Sequence, residues 1–177
     1  GRRVILTGAT PGSLGFATAR TLAEWGGRVV VSARSDPEAA VRALATAGVK
    51  VHGHVLDLAD PDSVARFVDW YVSAEGHELD VLVNNAGIHL DLRSTWKEPT
   101  RTADGHEIHW RTNYLGTMHL THLLLPLLAR AGAASGDARV VTVVSKLHTR
   151  GRNEFLFAPL EPYNSWDAYG TSKLALI

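Results

Sequence analysis

Five short apolar, β-branched runs recur along the chain, at 3–7, 28–32, 50–55, 80–83 and 139–144. Near-continuous Val/Ile/Leu runs without alternation suit strands buried on both faces, as in a parallel sheet covered by helices. The segments between them carry helical patterns. Residues 15–25 end at Gly26-Gly27, a helix stop. Residues 36–47 begin with Asp36 as a cap and Pro37 in the first helical position, and they stop at Gly48. Residues 60–74 repeat that arrangement with Asp60-Pro61. A longer helix is expected from near Asp104 to about Ala131, followed by a Gly/Ala/Ser loop at 131–137. Parallel strands need crossovers, and these are right-handed. The alternation therefore predicts an α/β fold, a Rossmann-type doubly wound parallel sheet with helices on both faces and strand order 3-2-1-4-5. No repeat or low-complexity linker divides the chain, so residues 1–177 read as a single domain.

Charge and composition narrow the partners. Eighteen Lys and Arg balance eighteen Asp and Glu, a balance that lacks the basic excess a nucleic-acid or anionic-lipid surface usually carries. The chain has no cysteine, which excludes disulfides, thiol nucleophiles and cysteine-bound metals and suits a cytoplasmic protein. The opening run Val4-Ile5-Leu6 is far too short for a signal core or a membrane span. The stretch at 120–128 is interrupted by His122 and Pro126. His106/His109 and His119/His122 are spaced three apart, but no HExxH motif accompanies them. They read as helix-surface histidines, with no metal.

The chemistry-bearing motifs occur in a fixed order. Thr7-Gly8-Ala9-Thr10-Pro11-Gly12-Ser13-Leu14-Gly15 links the first strand to the first helix. Taken alone it is a tight strand–helix turn. In that position, glycines let backbone N–H groups and a helix N-terminus approach a pyrophosphate. Asn84-Asn85-Ala86-Gly87 follows the fourth strand, and Asn113-Tyr114-Leu115-Gly116 lies in the long helix. Ser145 ends the fifth strand, and Tyr169-Gly170-Thr171-Ser172-Lys173 closes the series.

Together these motifs resemble the short-chain dehydrogenase/reductase superfamily. Asn84–Gly87 matches its ordinary branch, and the stretches at 56–60, 102–107 and 120–128 lean toward its retinol-dehydrogenase-like and protochlorophyllide-reductase-like members. The glycine spacing departs from the usual TGxxxGxG, because Gly15 falls one residue late and approaches the extended, epimerase-like pattern. The resemblance implies cofactor contacts from Gly8, Gly12, Ser13, Leu14, Gly15, Arg34, Asp57, Leu58, Asn85, Ala86, Gly87, Tyr169 and Lys173. It implies a catalytic set of Asn113, Ser145, Tyr169 and Lys173. The second strand ends Ser32-Ala33-Arg34. Ala33 cannot accept bonds from ribose hydroxyls, whereas Arg34 offers a planar cation to a 2′-phosphate, which favours NADP(H) over NAD(H). The bland alternative is an exposed arginine at a strand end. Asp57 matches the acceptor of the adenine amino group, or else serves as a turn aspartate before Asp60.

Carbonyl reduction needs a hydride and a proton. Tyrosine titrates near about 10 in water, so it needs a nearby cation to shuttle protons at neutral pH. Tyr169 and Lys173 fall one helical turn apart on one face. By resemblance, Lys173 also holds the nicotinamide ribose, Ser145 steadies the substrate oxygen, and Asn113 braces a helix backbone and anchors a water. The expected activity is hydride transfer between NADP(H) and a carbonyl or alcohol small molecule. Two other readings stay open: an extended-family nucleotide-sugar epimerase or reductase, and a non-catalytic NADPH-sensing module. Residues 149–168 carry Phe155, Leu156, Phe157, Pro159, Leu160, Tyr163 and Trp166. They read either as an apolar wall for a bulky substrate or as a surface loop packed on the sheet. The resemblance implies pairing of the Asn113 and Tyr169 helices in a homodimer. The uncapped apolar end Leu174-Ala175-Leu176-Ile177 predicts a longer protein whose further strands cover the fifth.

Overall fold

The computed structural model describes residues 1–90 and 93–177. The chain divides into two compact units, one of Gly1–Ala86 with His119–Val143, the other of Gly87–Met118 with Val144–Ile177.

The first unit is built on a five-stranded parallel sheet. Its strands are β1 (Arg3–Thr7), β2 (Arg28–Ala33), β3 (His52–Val55), β4 (Val81–Asn84) and β5 (Arg139–Thr142), in the order β3-β2-β1-β4-β5. The expected Rossmann-type topology is thus the one observed. Central β1 pairs Ile5 with Val30 on one side and with Leu82 on the other. Side chains alternate across the sheet, so neighbouring residues of β1 feed different cores. Ile5 joins Val64, Phe67 and Tyr71 of α3 (Pro61–Glu75) and Leu120 and Leu124 of α4 (Gly116–Ser135). Val4 and Leu6 join Ala19 of α1 (Leu14–Glu24) and Ala40 and Leu44 of α2 (Pro37–Thr46). Helices therefore cover both faces.

Helix starts follow the local chemistry. Asp36 caps α2 by accepting from Ala39 N at 2.9 Å, and Asp60 caps α3 by accepting from Asp62 N at 2.9 Å. Each is followed by proline, which has no N–H to satisfy. At the sheet end, Arg3 donates from Nε to Asp80 at 2.8 Å and also pairs with Glu78. That pairing holds the Asp80 carboxyl below its usual range, with Arg3 as the main cause. Burial pushes the phenol of Tyr71 up to about 12. β5 presents Val140 and Val141 at 42% and 46% exposure, so this strand's faces are open where β1 is sealed.

The region before α4 differs from the expected helix. Helical residues begin at Ile108, because the Glu107 carboxylate accepts from Trp110 N at 2.8 Å and caps the helix there. Asp104 instead accepts from the buried Arg111, Nε to Oδ2 2.7 Å. Trp110–Leu115 forms a π-helical turn, and α4 then runs through Pro126 to Ser135, so most of the expected 131–137 loop is helical. The reading of His106 and His109 as surface residues fails for His109, which is 0% exposed. Among the described residues no helix is long and apolar enough to cross a membrane, and no group of side chains could hold a metal ion.

Candidate active site

In the first unit, the turn between β1 and α1 is held by its own backbone. Gly8 and Gly12 adopt φ of 76° and 81°, a conformation L side chains rarely take. Ser13 caps α1, its Oγ accepting from Phe16 N at 3.1 Å, and leaves Leu14 exposed. A Cβ at Gly15 would lie 2.4 Å from Gly8 O and 2.5 Å from Asn85 Nδ2. The Asn85 amide donates to Thr7 O and Gly8 O at 2.8 and 3.1 Å. Thr7 Oγ1 in turn accepts from the backbone N–H of Asn85 and Ala86 at 3.1 and 3.0 Å. The Asn85 side chain is therefore committed to fixing the glycine turn. Space is open around Gly12, where a Cβ would meet nothing within 4 Å. A glycine cradle opening onto a capped helix N-terminus fits a pyrophosphate.

The other first-unit candidates take separate places. Ala33 is buried at the end of β2 and Arg34 is exposed beside it. Asp57 Oδ1 accepts from Ala59 N at 2.9 Å, a turn contact just ahead of the Asp60 cap. Leu58 is 5% exposed and sits in the core with α3 and α4.

The second unit brings the four catalytic candidates onto three segments. Asn113, fully buried in the π-helical turn, accepts from Ile88 N at 2.8 Å and donates to Ile88 O at 3.0 Å. Its amide also donates to Ser172 Oγ at 3.0 Å, and that hydroxyl donates to Tyr169 O at 2.7 Å. Asn113 thus ties the segment after Gly87 to α5 (Ser165–Leu174). A π-bulge supplies such an inward-turned residue at the expense of regular bonding, and these bulges recur at functional sites. The α5 helix starts where Asn164 accepts from Trp166 N and Asp167 N at 3.0 and 3.3 Å. Ser145 caps a 3-10 turn, Lys146–Arg150, its Oγ accepting from Leu147 N at 3.2 Å.

Tyr169 is half-buried and its ring is boxed. His89 stacks on it at 4.3 Å with 14° between planes, and His109 meets it edge-on at 6.1 Å and 87°. Trp166 packs edge-on against His89 at 4.5 Å. Lys173 is 5% exposed, and a Cβ at Gly87 would come within 3.0 Å of its Nζ. Gly87 is thus the residue that makes room for the ammonium. His89, Glu107 and His109 were not singled out as site residues by sequence reasoning. Their signal was their position, directly after Asn84–Gly87 and just before Asn113.

Burial lowers the pKa of Lys173 below the ordinary lysine value. The unfolded chain therefore binds this proton more tightly than the folded one. Below the folded-state pKa the buried charge costs stability, and the cost is relieved as pH climbs from that pKa toward the unfolded value. Lys173→Met should raise stability at neutral pH, with a smaller gain in strongly alkaline buffer. Thermal melts across pH check this; a neutral-pH loss would mean that the ammonium's contacts outweigh its burial.

Residues 155–161 and Tyr163 line a cavity of about 630 Å³ together with Glu107, Trp110, Ala168 and Thr171. Six of the seven expected wall residues contribute, Trp166 being the exception. Ser145, Tyr169 and Lys173 are not in the lining. Ala168 and Thr171 lie three apart on one face of α5, whereas Tyr169 and Lys173 share another.

The sequence profile of the short chain dehydrogenase family matches residues 2–177. The polyprenol dehydrogenase of Mus musculus is 40% identical over 182 residues, covering 99% of this chain and 52% of the relative. Retinol dehydrogenase 11 of Homo sapiens is 38% identical, covering 100% and 54%. The chain thus spans about half the length of these curated relatives. A metagenomic short-chain oxidoreductase solved in complex with NADP superposes with TM-score 0.69 at 26% identity, covering 99% of this chain and 72% of that one. An NADH-dependent reductase complexed with NAD has TM-score 0.73 at 24% identity over 99% and 67%, a likeness of fold alone. With the Asn113, Ser145, Tyr169 and Lys173 series carried in one unit and the glycine turn in the other, the chain belongs to the short-chain dehydrogenase family.

Proposed function

We propose that this chain carries the catalytic machinery of an NADP(H)-dependent oxidoreductase that interconverts a carbonyl and an alcohol, with Tyr169 as general acid and base. The observation that carries the reading is the braced α5 helix. Asn113 and Ser172 fix its backbone at Tyr169, one turn before a buried Lys173. When bound, the nicotinamide supplies or accepts the hydride. Tyr169 then gives its Oη proton to the carbonyl oxygen, and the Lys173 ammonium stabilises the phenolate left behind. Ser145 hydrogen-bonds the same oxygen as charge develops on it. Gly8, Gly12 and the N-terminus of α1 would hold the pyrophosphate, and Arg34 the 2′-phosphate.

The substrate we propose is bulky and apolar. The aromatic character of residues 155–163 supports this, as do the polyprenol and retinol in the names of the two relatives. The test is a screen of the full chain against apolar aldehydes and ketones, retinaldehyde among them, following NADPH absorbance. Turnover of such substrates is the expected result, and NADPH binding without turnover across the panel would remove the enzymatic reading.

Cofactor choice has its own test. Arg34→Ala should raise the NADPH dissociation constant roughly 10- to 100-fold, the loss of a charge-assisted bond of about 1.5–3 kcal/mol, and leave NADH nearly unaffected. An equal loss for both cofactors would mean that Arg34 does not read the phosphate.

A further inference from the structure

His109 is an imidazole with no exposed surface, and its two nitrogens have different neighbours. Leu90 N–H donates to Nε2 at 3.3 Å, so that nitrogen is the acceptor. The ring proton must then sit on Nδ1, which donates to Glu107 Oε1 at 2.8 Å. The same carboxylate accepts from the Tyr163 hydroxyl at 3.0 Å and from Trp110 N at 2.8 Å. Three donors therefore converge on the Glu107 carboxylate, and the Leu90 contact fixes which nitrogen of His109 faces it.

The consequence falls on Tyr169. Its ring has one histidine stacked on its face and a second, His109, perpendicular to it. His109 is in turn held by the Glu107 carboxylate. We propose that Glu107 is a positioning residue for Tyr169, setting the phenol's orientation for proton transfer through the fixed tautomer and tilt of His109. This rests on Tyr169 being the acid. Proton transfer is steep in geometry, so a small rotation of the phenol lowers kcat without weakening binding. Tyr163, which lines the cavity, bonds to the same carboxylate. The Glu107 anchor thus links the wall of that cavity to the acid.

The test is Glu107→Gln in the full chain. The amide must place its NH2 group against either His109 and Tyr163 or Trp110 N–H, donor facing donor in both cases. His109 then turns or changes tautomer. We expect kcat to fall roughly 10- to 100-fold with KM little changed, the range seen when a supporting residue of a catalytic group is lost. The solvent deuterium isotope effect on kcat should rise as proton transfer becomes limiting. By proton NMR, a downfield imidazole N–H resonance should be present in the parent protein and absent from the variant. A kcat that falls only with the folded fraction, at an unchanged isotope effect, would overturn the proposal. So would the absence of that resonance from the parent protein. Should Glu107→Gln not fold, Tyr163→Phe removes one donor to the same carboxylate, and the isotope effect is read the same way. A Tyr169→Phe variant run alongside separates the two levels. If it keeps its turnover, the assignment of the acid fails. If it is dead while Glu107→Gln is normal, only the positioning role fails.

Discussion

Tyr169→Phe should lower carbonyl turnover about 10²- to 10⁴-fold, the usual contribution of a positioned acid, while leaving NADPH affinity nearly intact. The substitution removes a single oxygen. The phenyl ring retains its stack on His89 and its edge contact with His109, so the fold loses little. Steady-state rates followed by NADPH absorbance, beside a fluorescence titration of cofactor binding, give both quantities. If the variant keeps more than about a tenth of the activity, a group other than Tyr169 is the acid and the mechanism proposed above is wrong.

Gly15→Ala should cost about 2–3 kcal/mol, enough to lower Tm by on the order of 5–10 °C for a chain of this size. Two effects oppose each other at this position. Gly15 lies in the first turn of α1, where alanine gains at most about 1 kcal/mol from helix propensity. Against that gain, the new methyl would sit 2.4 Å from a backbone oxygen and 2.5 Å from the Asn85 amide. Backbone cannot swing aside as a side chain can, and moving it breaks the Asn85 bonds to Thr7 and Gly8. Repulsion therefore outweighs propensity. Gly12→Ala is the informative contrast, because its Cβ has open space and the penalty is only the left-handed backbone, about 1–2 kcal/mol. Thermal melts of the two variants should rank Gly15→Ala as the more damaging, and a Gly15→Ala protein as stable as the parent would refute the steric account.

The sheet was legible in the sequence because its determinants are local. Each strand is a short apolar run, and Asp36-Pro37 and Asp60-Pro61 announce helix starts from adjacent residues. Strand order followed from the alternation and from the handedness of crossovers. The segment around Glu107 was not legible, for the opposite reason. Periodicity continues smoothly from 104 into 131, and nothing in it marks the π-helical turn or the cap at Glu107. The partners that define the histidine network come from distant segments. Tyr163 is 56 residues from Glu107, and Leu90 is 19 from His109. A histidine spaced three from another looks like a surface pair until a carboxylate and a backbone N–H are found on its two nitrogens. The Asn84–Gly87 motif was recognised, yet the committed role of the Asn85 amide, bracing the glycine turn, needed coordinates.

The strand order also carries a kinetic consequence. β1, β2 and β3 are consecutive along the chain and lie side by side in the sheet, so these three strands can pair before β4 and β5 are made. β5 pairs with β4 through Val81 and Arg139, and the whole of Gly87–Met118 is spelled out between them. Closing so long a loop is an entropic step that local strand pairing cannot speed. β4 therefore waits with one edge unpaired while that stretch and α4 are made. Synthesis pauses or chaperone contact in that interval would act on the pairing of β5 with β4 and leave the pairing of β1, β2 and β3 untouched.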